Sequence, residues 1–99
     1  MIAMNSSHLE LVKKILHHHL PKGTSIWVFG SRARGQSKKY SDLDLAIDMN
    51  GEPIPIKLLS AICFDLEESD LPYKVDIVDW NTIDKTFQEC IREDMEVLN

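Results

Sequence analysis

The chain has no apolar run near the roughly 20 residues that a membrane-spanning helix needs, and its N-terminus lacks the basic and apolar regions of a secretion signal. We therefore expect a cytoplasmic protein with no membrane partner. Cysteine is scarce as well, because Cys63 and Cys90 are isolated thiols without CxxC spacing. Both fall on predicted helices among apolar neighbours, so we interpret them as reduced core residues rather than a metal or redox pair.

Repeats, linkers and low-complexity tracts are absent from the 99 residues. A chain of this length buries roughly 60–65% of its unfolded surface, which supports one modest core. The hydrophobic content of 43% is ordinary for a globular protein and argues against disorder. We therefore expect residues 1–99 to form one small domain.

Basic residues are in the minority, with 11 against 16 acidic residues and a formal net charge of −5 at pH 7. This balance argues against tight nucleic-acid binding, which depends on Lys and Arg displacing counterions. Some of the basic residues nevertheless lie close together, at Arg32, Arg34, Lys38 and Lys39. A basic loop in an acidic protein suits a small polyanion such as a triphosphate, and the alternative is a solvated loop.

Hydrophobic periodicity predicts three helices and three strands in the order α-β-β-α-β-α. The helices are predicted at 7–20, at 54–69 and from 81 or 82 onward, and the strands at 25–29, 42–48 and 74–80. This order indicates an α/β (α+β) fold in which helices back a small mixed β-sheet.

Helix caps and inward-facing residues follow from the same patterns. Ser7 and Glu10 fit a capping box at the start of the first helix. Asn81 or Thr82 is expected to cap the last helix. That helix is predicted to turn four apolar side chains inward: Ile83, Phe87, Ile91 and Leu98.

Two aspartates share one face of the strand predicted at 42–48. The apolar residues at 43, 45 and 47 point one way, and Asp42 and Asp44 point the other. Residues two apart in a strand have Cα atoms roughly 6.5–7 Å apart. Carboxylates at that spacing can bridge divalent cations about 3.5–4 Å apart, the separation found in two-metal phosphoryl-transfer sites. The alternative is a solvent-exposed face, although aspartate is disfavoured in strands.

The strand predicted at 74–80 offers a third acid. Asp76 and Asp79 have opposite parity, so at most one of them can join Asp42 and Asp44. Asp76 lies in mid-strand, where an unpaired carboxylate is costly, whereas Asp79 lies near the strand end and is more easily solvated. We therefore predict Asp76 as the third ligand.

Gly30 and Ser31 follow the strand predicted at 25–29. Glycine permits close approach of a phosphate to backbone amides, and the serine hydroxyl adds a donor. A P-loop is a poor match for this segment, because Gln36 stands where the phosphate-binding lysine belongs.

With these residues assembled, the chain resembles the minimal nucleotidyltransferases of the DNA polymerase β superfamily. The pattern is Gly30-Ser31, a ten-residue spacer, Asp42-Leu43-Asp44 and a later acid, Asp76. The chain is most similar to the stand-alone bacterial and archaeal proteins encoded beside an all-helical HEPN partner, including MntA-type antitoxins. The resemblance implies a polymerase β-like nucleotidyltransferase fold across nearly the whole chain.

The resemblance also implies a mechanism. Asp42 and Asp44 would hold two Mg²⁺ ions, or Mn²⁺, at the triphosphate of ATP. Asp76 would bind the metal nearer the acceptor and help to deprotonate its hydroxyl. Gly30 and Ser31 would hold the β- and γ-phosphates, and Arg32 or a nearby lysine would neutralise the leaving charge.

For the MntA-like group, the resemblance implies AMP transfer to a tyrosine of a HEPN toxin, within a hetero-oligomer in which the toxin is silenced. Three alternatives stay open. The chain could be the catalytic subunit of an aminoglycoside-type nucleotidyltransferase completed by a helical subunit. It could also be an RNA-tailing enzyme, which the acidic balance disfavours. The third alternative is an antitoxin that acts only by binding.

Overall fold

The computed structural model describes residues 2–98 and contains three helices and four strands in that range. The helices are α1 (Ser6–His19), α2 (Ile56–Glu67) and α3 (Lys85–Arg92). The strands are β1 (Ser25–Phe29), β2 (Leu43–Asp48), β3 (Val75–Asp79) and β4 (Glu96–Val97). A short 3-10 turn, Gly30–Arg32, directly follows β1. The predicted element order is confirmed. The additional β4 has only two residues, too few for any periodicity to reveal.

The strands form one mixed sheet in the order β3-β2-β1-β4. β1 is antiparallel to both β2 and β4, whereas β2 and β3 are parallel. A parallel pair needs a crossover connection, and α2 provides it. The predicted class, a small mixed sheet backed by helices, is therefore confirmed.

Helices α1 and α2 cover one face of this sheet. Their inward residues are Val12, Leu16, Ile62 and Leu66. On β1 and β2, every second residue is at most 1% exposed: Ile26, Val28, Leu43, Leu45 and Ile47. Burial of every second residue is typical of strands with one face in a core. The sequence predicted this alternation for β2.

A smaller apolar cluster covers part of the opposite face. It consists of the buried residues Ala46, Trp80 and Ile91, with Trp27 and Phe29 among those packed against them. Ala46 lies on the same face of β2 as Asp44, and it is fully buried beneath this cluster. The next positions of β2 and β3 on that face are Asp44 and Asp76. The carboxylates therefore lie directly beside an apolar surface.

The predicted capping box of α1 is wrong. Asn5 caps this helix, and its Oδ1 accepts hydrogen bonds from Ser7 N at 2.8 Å and from Ser7 Oγ at 2.6 Å. Ser7 is thus inside the helix rather than at its cap, and the partnership with Glu10 does not occur. Asparagine and serine are comparable caps, so the sequence offered adjacent candidates of similar strength.

The predicted start of α3 is also wrong, because Asp84 is the cap instead of Asn81 or Thr82. The Asp84 Oδ1 accepts a hydrogen bond from Phe87 N at 2.8 Å. Phe87, expected to face inward, is 42% exposed. Leu98 is buried as predicted, but it follows β4, and its N–H donates to the main chain of β1 at 2.8 Å.

The cysteines differ from the prediction as well. Cys63 is partly exposed and Cys90 is exposed, so the core assignment is wrong for Cys90. Within residues 2–98, no helix combines the length and apolarity that crossing a membrane requires.

Candidate active site

Strand pairing places Asp44 of β2 beside Asp76 of β3. The two residues are direct partners in the parallel register. Their side chains therefore leave the same face of the sheet, from strands about 4.8 Å apart. Asp42 directly precedes β2 and has the same parity as Asp44. The structure thus places Asp44 and Asp76 side by side, and the negative charge of Asp42 acts on Asp44 from two residues away.

The pKa of Asp44 is raised above its ordinary value. Burial is the largest cause, followed by the negative charges of Asp76 and then Asp42, while the positive charge of Arg34 acts in the opposite direction. Like charges at such separations resist joint ionisation unless a cation neutralises them. Carboxylate oxygens are the donors that Mg²⁺ and Mn²⁺ prefer, so the donor chemistry fits a divalent cation.

The carboxylates are not arranged as a finished metal site. Within residues 2–98, no three His, Cys, Asp or Glu side chains are grouped closely enough to hold one ion. Asp76 is engaged by Lys74 instead, with Nζ 3.2 Å from Oδ1. The Lys74 side chain is 72% exposed, and exposed ion pairs of this kind contribute little to stability. The Lys74 ammonium therefore has to leave Asp76 before a cation can bind there.

Asp79 has a different environment from Asp76. Its carboxylate accepts hydrogen bonds from Ile54 N at 2.8 Å and from Asn81 N at 3.3 Å. It therefore caps the segment before α2 and the turn after β3. Residue parity predicted that Asp76 and Asp79 lie on opposite faces of the sheet. The structure agrees, because Asp79 is the partner of Ile47, a residue of β2 that faces the core.

Gly30 is in close contact with Asp44. In the antiparallel pairing of β1 with β2, Asp44 lies opposite Phe29, and Gly30 directly follows Phe29 in the chain. The backbone φ of Gly30 is +74°, and a Cβ added there would collide with Asp44 Oδ2. Only glycine combines this conformation with this approach. Ser31, in the same 3-10 turn, follows directly.

Arg32 has a structural position rather than a phosphate-facing one. The side chain is only 4% exposed. Its Nε and Nη2 donate to the Ser41 carbonyl at 3.1 and 2.8 Å, and Nη1 donates to the Ala3 carbonyl at 2.9 Å. The guanidinium also stacks on the Tyr73 ring at 4.0 Å. The prediction that Arg32 contacts the triphosphate thus conflicts with its position, since main-chain carbonyls already occupy the guanidinium.

Arg34 is the arginine whose positive charge acts on Asp44. It only partly offsets burial and the neighbouring acids, so the pKa of Asp44 stays raised. Its Nη1 lies 2.8 Å from Asp94 Oδ2, and its side chain is 46% exposed. The sequence placed Arg34 in the basic cluster but not in the site. Nothing in the local sequence distinguishes it from Arg32, because Arg32 is buried by its bonds to the carbonyls of Ala3 and Ser41.

These features define a class of protein. A mixed sheet presents Asp-x-Asp at one strand and a third aspartate on its parallel neighbour, beside a Gly-Ser turn. This is the arrangement that the resemblance to polymerase β-like nucleotidyltransferases implied.

The chain belongs to the family Polymerase beta, Nucleotidyltransferase, whose model matches residues 10–99. The predicted family and enzyme class are therefore confirmed. A Haemophilus influenzae protein named probable protein adenylyltransferase MntA is 44% identical over 90 residues. The match covers 91% of this chain and 77% of that protein.

Solved structures share the fold. A toxin-antitoxin with AMP-PNP gives a TM-score of 0.77 at 23% identity, covering 92% of this chain and 72% of that chain. The structure of a tri-AMPylated Shewanella oneidensis HEPN toxin in complex with MNT antitoxin gives a TM-score of 0.67 at 19% identity. The match covers 97% of this chain and 72% of that chain. At these identities the likeness concerns the fold alone.

Proposed function

We propose that this protein is a Mg²⁺-dependent nucleotidyltransferase that moves AMP from ATP to a hydroxyl group of a partner protein. The observation that carries the proposal is the pairing of Asp44 with Asp76, with Gly30 packed against the Asp44 carboxylate. Such crowding of acids beside a glycine turn stabilises little in the protein alone. It suits the binding of a cation and a triphosphate.

Each residue has a role in this proposal. Asp42, Asp44 and Asp76 hold Mg²⁺, or Mn²⁺, which supplies charge neutralisation at the triphosphate and lowers the pKa of a nearby hydroxyl. Gly30 and Ser31 hold the β- and γ-phosphates at the turn after β1. Arg34 replaces Arg32 as the cation that balances charge on the leaving pyrophosphate.

The reaction is an in-line displacement at the α-phosphorus. The acceptor oxygen forms a bond to that phosphorus, and the bond to the oxygen bridging the α- and β-phosphates breaks. Pyrophosphate leaves with the electron pair, and the hydroxyl proton passes to a carboxylate oxygen of Asp76. Asp76 lies on the edge strand with 42% of its side chain exposed, so an acceptor can reach it from beyond the edge of the sheet. Positioning and electrostatics supply most of the acceleration.

The proposed acceptor is a tyrosine of an all-helical HEPN-type toxin, which forms a hetero-oligomer with this chain. AMP transfer silences the toxin, and this chain is then its antitoxin. Support comes from the name of the Haemophilus influenzae relative and from the AMPylated HEPN toxin found with an MNT antitoxin in the Shewanella oneidensis structure.

The test uses α-labelled ATP, Mg²⁺ and a lysate of the source organism, followed by separation of labelled protein, RNA and small molecules. Wild-type protein is expected to label one small helical protein on tyrosine. Asp44→Asn should abolish this label. Asp79→Asn is the matched control, because it makes the same substitution away from the acid cluster and keeps one of the two oxygen acceptors. Equal labelling by wild type and Asp44→Asn would refute the assignment.

A second candidate is an antitoxin that acts by binding alone. The observation that favours it is the ion pair between Lys74 and Asp76, together with the lack of a three-ligand group within residues 2–98. Under this candidate the folded protein inhibits its partner without ATP, and Asp44→Asn inhibits equally well. Under the main proposal, inhibition of the partner depends on ATP and Mg²⁺.

A further inference from the structure

The open edge of the sheet lies at β3. Within residues 2–98, this strand pairs with β2 on one side and ends the sheet on the other. The Lys74 carbonyl accepts a hydrogen bond from Leu43 N of β2 at 2.9 Å. In a parallel ladder, the N–H and C=O of one residue point to the same side, and successive residues alternate. The N–H and C=O groups of Val75 and Ile77 therefore point outward from the edge.

A groove of about 490 Å³ lies along this edge. One wall comes from α2 and the segment after it, with Cys63, Leu66, Leu71 and Tyr73 as its less polar residues. The other wall is β3 itself, from Val75 to Ile77, and includes Asp76. The groove and the acid cluster therefore share a residue, and a chain lying in the groove reaches the site.

We infer that this groove binds an extended segment of the acceptor protein, from a loop between its helices or from a chain end, which adds to the sheet as a strand beside β3. This inference rests on the proposed function. An extended main chain is the occupant that can pair with the outward N–H and C=O groups of Val75 and Ile77, as in other complexes formed by strand addition. A helix presented to the same edge would leave those groups unpaired.

Strand geometry then specifies the order of residues in the acceptor segment. On β3, Val75 and Ile77 pack against the core cluster, whereas Asp76 between them faces Asp44. An added strand has the same alternation. A hydroxyl residue directed toward Asp76 thus has neighbours on both sides directed toward Leu66 and Tyr73. The acceptor segment is expected to read apolar–hydroxyl–apolar.

The test replaces Val75 by proline. Val75 is the first residue of β3, a position where an edge strand tolerates proline, and its outward N–H is the group that the substitution removes. Val75→Ala is the matched control, because it shortens the same side chain and keeps the N–H. With the purified partner protein as acceptor, Val75→Pro should raise the KM for the acceptor about tenfold, as loss of main-chain hydrogen bonding predicts. The increase is measured against Val75→Ala, so that loss of the side chain is separated from loss of the N–H, and both variants should keep the wild-type affinity for ATP.

A folded Val75→Pro protein with the wild-type KM for its acceptor would overturn the inference. A second measurement applies if Val75→Pro does not fold. A short synthetic peptide centred on the labelled residue of the partner should be labelled by the wild-type enzyme. The same peptide, N-methylated at alternate backbone positions on the edge-facing side, should not. Equal labelling of both peptides would also overturn it. Absence of transfer by the wild type to any acceptor would instead refute the proposed function.

Discussion

Replacing Gly30 by alanine tests whether the turn after β1 sets the position of Asp44. Gly30 has a φ of +74°, in the left-handed region. An L-residue there costs about 1–2 kcal/mol of stability. The added Cβ also collides with Asp44 Oδ2, so either the carboxylate rotates away or β1 and β2 shift. If the strands shift, overpacking of this kind costs typically about 1–3 kcal/mol more.

Gly35→Ala is the control that separates the two costs. Gly35 has a similar φ of +71°, but a Cβ added there meets nothing within 4 Å. It therefore bears only the backbone cost of about 1–2 kcal/mol. Thermal unfolding should give a lower Tm for Gly30→Ala than for Gly35→Ala, by about 4–8 °C for each kcal/mol of the collision.

Activity separates the two variants further. AMP transfer by Gly35→Ala should stay near wild type, whereas Gly30→Ala should fall about 100-fold, the usual effect of displacing a reacting group by about 1 Å. In an Asp44→Ala background, the additional loss of Tm caused by Gly30→Ala should disappear, because the colliding atom is gone. Equal Tm and equal transfer for Gly30→Ala and Gly35→Ala would refute the reasoning.

Three further substitutions test the site. The folded-state pKa of Asp44 is raised, so its ionised form destabilises the metal-free fold at neutral pH, and this penalty disappears as pH falls through the folded-state pKa. Asp44→Asn should therefore raise the Tm of the metal-free protein at neutral pH while abolishing transfer, and a Tm gain that persists in acid would contradict the assignment. Arg32→Lys should lower the free energy of unfolding by about 2–4 kcal/mol in urea titrations, because lysine cannot reproduce the forked bonds to main-chain carbonyls; unchanged stability would show that those bonds contribute nothing. Lys74→Met should tighten Mg²⁺ binding measured by calorimetry, since it removes the cation that competes for Asp76; unchanged affinity would show that Lys74 does not compete with the metal.

Much of the fold could be predicted from the chain because its strands and helices have strong local periodicity. The bounds of β1 were predicted without error, and the alternation in β2 separated its core face from its acids. The errors lie at helix ends, where Asn5 and Asp84 had neighbouring competitors of similar capping strength. They also include the two-residue β4, which forms only because β1 offers it a partner.

The candidate site shows the same division between local and distant effects. Residue parity and position along a strand are local, so Asp76 could be preferred to Asp79 from the sequence. The choice between Arg32 and Arg34 could not. Arg32 is buried because the carbonyls of Ala3 and Ser41 converge on it from distant parts of the chain.

The sequence by itself therefore determined the element order, the faces on which Asp42, Asp44 and Asp76 lie, and the glycine turn before them, because each depends on neighbours within a few residues. Only the tertiary structure decided that Asp44 and Asp76 are direct partners, that Gly30 touches the Asp44 carboxylate, and that the groove opens beside β3. Those features depend on strand register and on the crossover through α2, and both are set by packing between residues far apart in the chain.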